Sequence, residues 1–493
     1  MINPSRMLLL LTFGLAGCAG PAVELARVAP VAPPLQWRNN AGSEAVVDGQ
    51  WWQDFDDPQL NALVERGLAN NSDIGIAIGR LREARAQERL ARAQSFPKLE
   101  EGLGAAASRA VSPFGRPQES IGAQPTLQIS YEVDLFGRLA DQSAAARNAF
   151  LASAAARDAT RLSVAAAIAS GYVTLCALDA RLGVAQLTLD ARREALRIAR
   201  SRTRFGYSPL LELRQAEAEY QATLQIIPQA QLAIARQENA LSILVGDVPG
   251  RIVRTSALGR FVQPDIPAGL PSELLRRRPD VAQAELLLAA SDRSLAAARK
   301  RFLPQLRLTG SAGAAVSSLL GDPIALWSIG GSILAPLFEG GRLTAQAEGA
   351  GAQRDQAAWT YRRAALTAFR EVEDALAAAR RLSEQRTAIA AQRDALSGGL
   401  RLATNRYRAG YSPYLEQLDA QRALLSAELS LIQIEADQLN NRIALFQAMG
   451  GGWTSAGNPP PGCHHALARA STAPPALLIA GGLSGLRPHV GLR

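Results

Sequence analysis

The sequence predicts a mainly α-helical chain with a small β part, a duplicated unit of long coiled-coil helices plus four strands. Three observations carry this. No proline lies between Pro125 and Pro209 or between Pro336 and Pro413. Each interval therefore holds about 70 residues free to be helical, roughly 100 Å at the α-helical rise. Of the 493 residues 48% are hydrophobic but only 5% aromatic, so Ala and Leu, residues of long helices, make up much of the apolar count. Finally, Asp73–Leu99 aligns without gaps on Asp280–Leu306, an offset of 207 residues.

Each copy reads as helix, strand, loop, strand, long helix, tip, helix. The first helix is expected over Ser72–Phe96 and its counterpart over Pro279–Phe302, with proline in the first turn. From Leu99 the sequence turns Gly-rich. Thr126–Phe136 then alternates, with Leu127, Ile129, Tyr131, Val133 and Leu135 on one face and Gln128, Ser130, Glu132 and Asp134 on the other, a half-buried strand. The second copy shows Leu306, Leu308, Gly310 and Ala312, then Trp327, Ile329, Gly331 and Ile333, with loops expected at 109–124 and 317–325. Leu175, Leu182, Leu189 and Leu196 step by seven, and the same 207 offset lays them on Leu382, Ile389, Leu396 and Ala403, a coiled-coil seam. Gly206-Tyr207-Ser208-Pro209 recurs as Gly410-Tyr411-Ser412-Pro413 at an offset of 204. The change of offset predicts a three-residue stammer between seam and tip in the first copy.

The N-terminus carries a short basic leader, an apolar run from Met7 to Ala16, and Leu15-Ala16-Gly17-Cys18. This resembles a bacterial lipoprotein signal, with Cys18 the acylated new N-terminus and Ala19 favouring delivery to the outer membrane. The expected organisation is a signal peptide at 1–17, a linker at 18–50, repeats at 51–271 and 272–453, and a disordered, Pro-bounded tail at 454–493. Four strands cannot close a barrel, and an open edge cannot face lipid, so strands in such a chain must be shared between copies. Three copies supply about twelve strands and two about eight, and the long helices favour three.

These features, with Trp51-Trp52-Gln53-Asp54-Phe55-Asp56-Asp57-Pro58-Gln59-Leu60, Leu135-Phe136-Gly137-Arg138, Arg276-Arg277-Arg278-Pro279-Asp280-Val281 and Gly450-Gly451-Gly452-Trp453, resemble the TolC-like outer-membrane efflux family, in its lipoprotein branch. The resemblance runs from about Trp51 to Trp453. It implies a homotrimer with a 12-strand barrel and a helical periplasmic tunnel. It further implies a passive exit channel for small molecules, working with a periplasmic adaptor (membrane fusion) protein and an inner-membrane transporter of the resistance-nodulation-division type. Arg406-Tyr407-Arg408-Ala409-Gly410 and Leu418-Asp419-Ala420-Gln421-Arg422 match the family's gate segment. By that resemblance Asp419 forms an acidic ring at the constriction, Tyr407 and Arg408 belong to the latch, and Arg408 is the candidate partner of Asp419. The first copy has Thr203 and Gln215 where the second has Tyr407 and Asp419, so one copy alone carries the charged gate. The turns Gly206-Tyr207-Ser208-Pro209 and Gly410-Tyr411-Ser412-Pro413 are expected to dock the adaptor.

No phosphate-binding loop of the G-x-x-x-x-G-K-[ST] kind and no nucleophile elbow is present, so an enzyme is not expected. His464-His465 beside Cys463 lacks a second ligand pair at zinc spacing, and Cys176 reads as a small core residue, so no metal and no cofactor beyond the lipid on Cys18 is expected. The net charge of +9 is spread among acids rather than gathered in a basic block, which argues against nucleic acid. Two alternatives stand beside the drug-efflux channel: the channel of an ABC-type protein exporter, and a coiled-coil lipoprotein scaffold with no barrel.

Overall fold

The computed structural model describes residues 23–26, 28–38, 49–254, 257–264 and 271–453. The expected signal peptide, Cys18 and the tail with Cys463, His464 and His465 lie outside the described residues. After a 3-10 turn at Trp51–Phe55 come α1 (Pro58–Asn70), α2 (Ser72–Ala93), β1 (Lys98–Val111), β2 (Pro117–Val133), α3 (Arg138–Arg204) and α4 (Leu210–Leu244). They are followed by α5 (Pro271–Arg277), α6 (Pro279–Lys300), β3 (Gln305–Ser317), β4 (Ile324–Leu334), α7 (Arg342–Arg408) and α8 (Tyr414–Ala448). The fold is mainly α with one four-stranded sheet, as the sequence predicts.

Corresponding helices match in length: α2 and α6 have 22 residues each, α3 and α7 have 67, and α4 and α8 have 35. The expected stammer is absent. Ser72 and Pro279 stand 207 apart but Arg138 and Arg342 stand 204 apart, so the three-residue difference is absorbed around the strand hairpins and the long helices run in one register. In that register the counterparts of Leu382, Ile389, Leu396 and Ala403 are Leu178, Ala185, Arg192 and Ala199. Three residues is the spacing between the two apolar positions of a heptad, so either offset lays apolar on apolar except at Arg192, which the 204 offset sets on Leu396.

The helix boundaries have local causes. Asp57 accepts the N–H groups of Gln59 and Leu60, both at 2.8 Å, with Pro58 at the first helical position. Asn71 caps α2 in the same way, and its amide also donates to the Leu244 carbonyl at 2.9 Å, tying α2 to the end of α4. In Leu135-Phe136-Gly137-Arg138, Gly137 takes φ +72° and Asp134 accepts from Leu139 and Ala140, which caps α3. The short helices end at Ala93 and Lys300, a few residues before the predicted ends, and tighten into i→i+3 turns over 94–96 and 301–303 before the prolines at 97 and 304.

The strands run in the order β1-β2-β3-β4, all antiparallel. Both hairpins are longer than the hydrophobic alternation suggests. The ladder continues from Lys98↔Ser130 to Val111↔Pro117 through an Ala-rich stretch of β1 and a polar stretch of β2, leaving loops of only 112–116 and 318–323. One sheet face carries Leu99, Leu127, Ile129, Tyr131, Leu308, Trp327, Ile329 and Ile333, and the other Lys98, Glu100, Ser130, Glu132, Arg307, Thr309 and Ser332. The apolar face meets no other described part of the chain: Trp327 is 77% and Ile329 85% exposed.

The main core lies where the short helices and helix ends converge on α3. It includes Trp51, Phe55, Leu60, Ile168, Tyr172, Leu241 and Phe446, with Trp51 stacked on Phe446 at 5.2 Å. An apolar window of α3 is long enough to cross a bilayer by composition, yet 56% of it is buried within the fold. Arg278 of the Arg-rich motif pairs with Asp280 and Glu371, both at 2.7 Å, and donates to the Ala448 carbonyl, pinning α6 to α7 and α8. Gly450, at φ +88°, has no room for a Cβ, which would lie 1.9 Å from the Arg277 carbonyl oxygen. The N-terminal segment follows α7 in the same direction. Val23 lies against Gly351, Ala26 donates to Asp355, Arg362 donates to the Ala29 carbonyl, and Arg38 donates to Glu373.

Candidate gate and docking tips

Both helical hairpins reverse through the same device. At the first tip Gly206 (φ +79°) donates to the Thr203 carbonyl and Tyr207 to that of Arg202; at the second Gly410 (φ +80°) donates to Tyr407 and Tyr411 to Arg406. These are Schellman caps, and they need glycine because of the positive φ. Pro209 and Pro413 sit in extended conformation just before α4 and α8 and release the chain into the next helix. Ser208 meets Thr203 at 3.2 Å through their hydroxyls. The Ser412 hydroxyl is buried with no hydrogen-bond partner among the described residues. Tyr207 and Tyr411 point outward, 82% and 81% exposed.

Beside the tips the second hairpin is fastened to the first. Tyr407 is buried, its O–H donates to Glu212 of α4, and the Arg202 guanidinium of α3 lies 4.5 Å from its ring centroid. Arg202 also donates at 3.5 Å to the carbonyls of Tyr407 and Arg408, and Tyr414 packs its ring 5.6 Å from that of Tyr407. Burial, then the neighbouring Glu212 carboxylate, push the Tyr407 hydroxyl well above the ordinary tyrosine range. Around it Leu196, Ala199, Ala216 and Leu418 form a small apolar core separate from the main one.

Seven residues along α4 from Glu212 lies a second tie. Glu219 pairs with Arg192 of α3 at 3.2 Å and with Arg422 of α8. Arg192 is 2% exposed, and its Nε and Nη1 have no hydrogen-bond acceptor among the described residues. Of these groups the sequence reading singled out Tyr407 but not Glu212, Glu219, Arg192, Arg202 or Arg422 in a gate role. One signal was available: Arg192 falls on a seven-residue stripe otherwise occupied by Leu178, Ala185 and Ala199.

Asp419 stands apart from this buried set. Its side chain is 66% exposed, and its one ion pair among the described residues is with Arg422 at 3.9 Å, on the same helix. Arg408 is therefore not its partner within the chain, because Arg408 ends α7 and turns toward α3. There Glu194, held below the usual carboxylate range first by its bond from Arg197, is lowered further by the Arg408 charge. At the 204 offset the counterparts of Tyr407, Asp419 and Arg422 are Thr203, Gln215 and Ala218, and those of Arg192 and Glu219 are Leu396 and Ala423. The Tyr407 and Glu219 side-chain contacts thus depend on the two copies differing, whereas Arg202 and Glu212 have like counterparts in Arg406 and Glu416. No cluster of three or more metal-ligating side chains occurs among the described residues.

The sequence profile of the outer membrane efflux protein family matches residues 63–247 and 270–451. An antibiotic efflux pump outer membrane protein of Pseudomonas putida, ArpC, is 33% identical over 458 residues, 90% of this chain and 94% of that protein. The pyoverdine export outer membrane protein OpmQ of Pseudomonas putida is 32% identical over 468 residues, 92% of this chain and 98% of that one. Among solved structures the outer-membrane channel OprN superposes with a TM-score of 0.81 at 29% identity, covering 88% of this chain and 99% of that channel. With its repeated helical hairpins, its four-stranded sheet and these likenesses, the chain belongs to the outer membrane efflux protein family.

Proposed function

We propose that three copies of this chain form the exit duct of a tripartite efflux pump. The chain is an outer-membrane channel subunit that extends into the periplasm. The observation that carries the trimer is the sheet. Its apolar face is exposed over Leu99, Trp327, Ile329 and Ile333, and its outer strands β1 and β4 have no further partner among the described residues. Such a face fits lipid, but an open edge in lipid leaves N–H and C=O groups unsatisfied. Pairing β4 of one copy with β1 of the next removes both edges, and three copies close a 12-strand barrel.

Below the barrel the hairpins line a tunnel whose periplasmic end is the gate. Asp419 supplies an exposed carboxylate ring, Tyr407 latches the second hairpin to the first, and Arg408 at the end of α7 meets a neighbouring copy. The exposed Tyr207 and Tyr411 turns, with Ser208 and Ser412, dock a periplasmic adaptor that links the duct to an inner-membrane transporter of the resistance-nodulation-division type. The repeats span 51–271 and 272–453. Cys18 carries the lipid, and the segment along α7 leads from it. Conduction is passive and needs neither cofactor nor enzymatic chemistry; selectivity for cargo lies in the transporter. Cysteines at Ala106 of β1 and Ser328 of β4, both on the polar face, should crosslink copies into a heat-resistant trimer that conducts in a planar bilayer. Monomers with no crosslink and no conductance would overturn the proposal.

A further inference from the structure

Where the sheet meets the long helices, the polar face opens on a cavity of about 600 Å³ lined by Arg138, Arg301, Arg307 and Arg342 together with Glu132 and Glu339. The four guanidiniums come from the first turn of α3, the end of α6, strand β3 and the first turn of α7. An adjoining cavity of about 270 Å³ shares Arg138, Arg307 and Glu132 and adds Lys98 and Glu100, so five cations face three carboxylates. Glu132 is taken by Arg138 and Glu339 by Arg342, while among the described residues Arg301 is held only by the Gln346 side chain at 2.8 Å. Among the described residues the Nε of Arg138 is buried without an acceptor and no side chain caps the N-terminus of α7, whose first residues line the larger cavity. Unsatisfied donors, a helix N-terminus and surplus guanidinium charge together favour an anion with several oxygens.

The geometry points to an anion-binding collar at the base of the barrel lumen, one that takes multivalent carboxylate or phosphate groups. It rests on the barrel proposed above, in which the polar sheet face lines the lumen. The collar opposes the Asp419 mouth in sign, so an anionic solute leaving the tunnel meets a favourable field before the exit. Three copies bring three such sites into one ring.

The test uses the full-length chain in a neutral phosphatidylcholine bilayer, which removes lipid anions as a source of the ligand. In an Asp419→Asn background the channel should prefer chloride to potassium. Arg301→Gln with Arg307→Gln should lower that preference about threefold, and Lys at both positions should keep it. Citrate added on the barrel side should block the Asp419→Asn channel and leave the double Gln variant unblocked. Calorimetric titration of citrate into the detergent-solubilised chain gives a readout without conduction: heat of binding for the parent and none for the Gln variant. Binding without conduction would keep the collar and remove the channel. Equal citrate binding by parent and Gln variant, or an unchanged permeability ratio, would overturn the collar.

Discussion

The two helical hairpins are matched in backbone and opposed in chemistry. α3 and α7 share their 67-residue length, their Schellman caps and the Gly-Tyr-Ser-Pro turn. What differs is part of the set that faces across. Arg202 and Glu212 have like counterparts in Arg406 and Glu416, while Arg192, Glu219, Tyr407, Tyr414 and Arg422 correspond to Leu396, Ala423, Thr203, Leu210 and Ala218. The first hairpin contributes Arg192, Arg202, Glu212 and Glu219, and the second contributes Tyr407, Tyr414 and Arg422. Length and capping set where a helix ends. The facing polar groups set whether one hairpin stays against the other. A duplicated chain can thus keep matched helical hairpins while carrying polar groups that fasten one hairpin to the other; in the gate proposed above, the second hairpin is the one that moves.

The largest effect expected from breaking this arrangement is at Glu219. Glu219→Ala leaves Arg192 buried without a carboxylate and should cost about 3–5 kcal/mol. Adding Arg192→Leu installs the residue pair that the second copy carries, Leu396 and Ala423, and should recover most of the loss in thermal melts of the trimer. If the single and double variants melt alike, the pair is not coupled.

Next in size is the latch. Tyr407→Phe deletes one hydrogen bond to a carboxylate, about 1.5–3 kcal/mol, and should raise the open fraction roughly tenfold or more in single-channel records. Because the Tyr407 hydroxyl is held above its ordinary value of 10.0, the closed state favours the protonated form. Its contribution is complete below that value and declines as pH rises above it, so parent channels should open more often in that alkaline range and Tyr407→Phe channels should not follow.

Smaller and symmetric effects are expected at the caps. Gly206→Ala and Gly410→Ala each force a Cβ into positive φ and should each destabilise by about 1 kcal/mol, read as equal shifts in denaturation midpoint. Unequal shifts would mean that one tip is braced by more than its cap. Asp419→Asn should leave stability within about 1 kcal/mol, since an exposed pair contributes little, while reducing block by divalent cations. At the small end, Cys176 is buried and its thiol is pushed up to about 12, by burial first and then by Asp179. It should stay unlabelled by maleimide at pH 8 and need not be removed before tip-crosslinking experiments.

Helix existence, the duplication, the tips and the apolar sheet face were legible in the sequence because each has a local signature: a proline gap, a repeated motif, a period of two. The hairpin lengths were not, since the outer half of β1 is largely Ala and that of β2 runs from Pro117 to Pro125 through Gln, Glu and Ser with no apolar alternation, while the backbone ladder continues. The stammer was misplaced because a shift of three exchanges one apolar heptad position for the other. The gate was half legible. Tyr407 stands out in its motif, but Glu212 and Glu219 resemble solvated helix-face acids until a partner about 200 residues away in the other copy is placed against them.

The claim that the second hairpin is held shut by the first is tested most directly by the single-channel conductance of Tyr407→Phe combined with Arg422→Ala, which removes both ties from one side. Trimers that remain heat-resistant and conduct several-fold more than the parent are the predicted result. Intact trimers with the parent's conductance would contradict it.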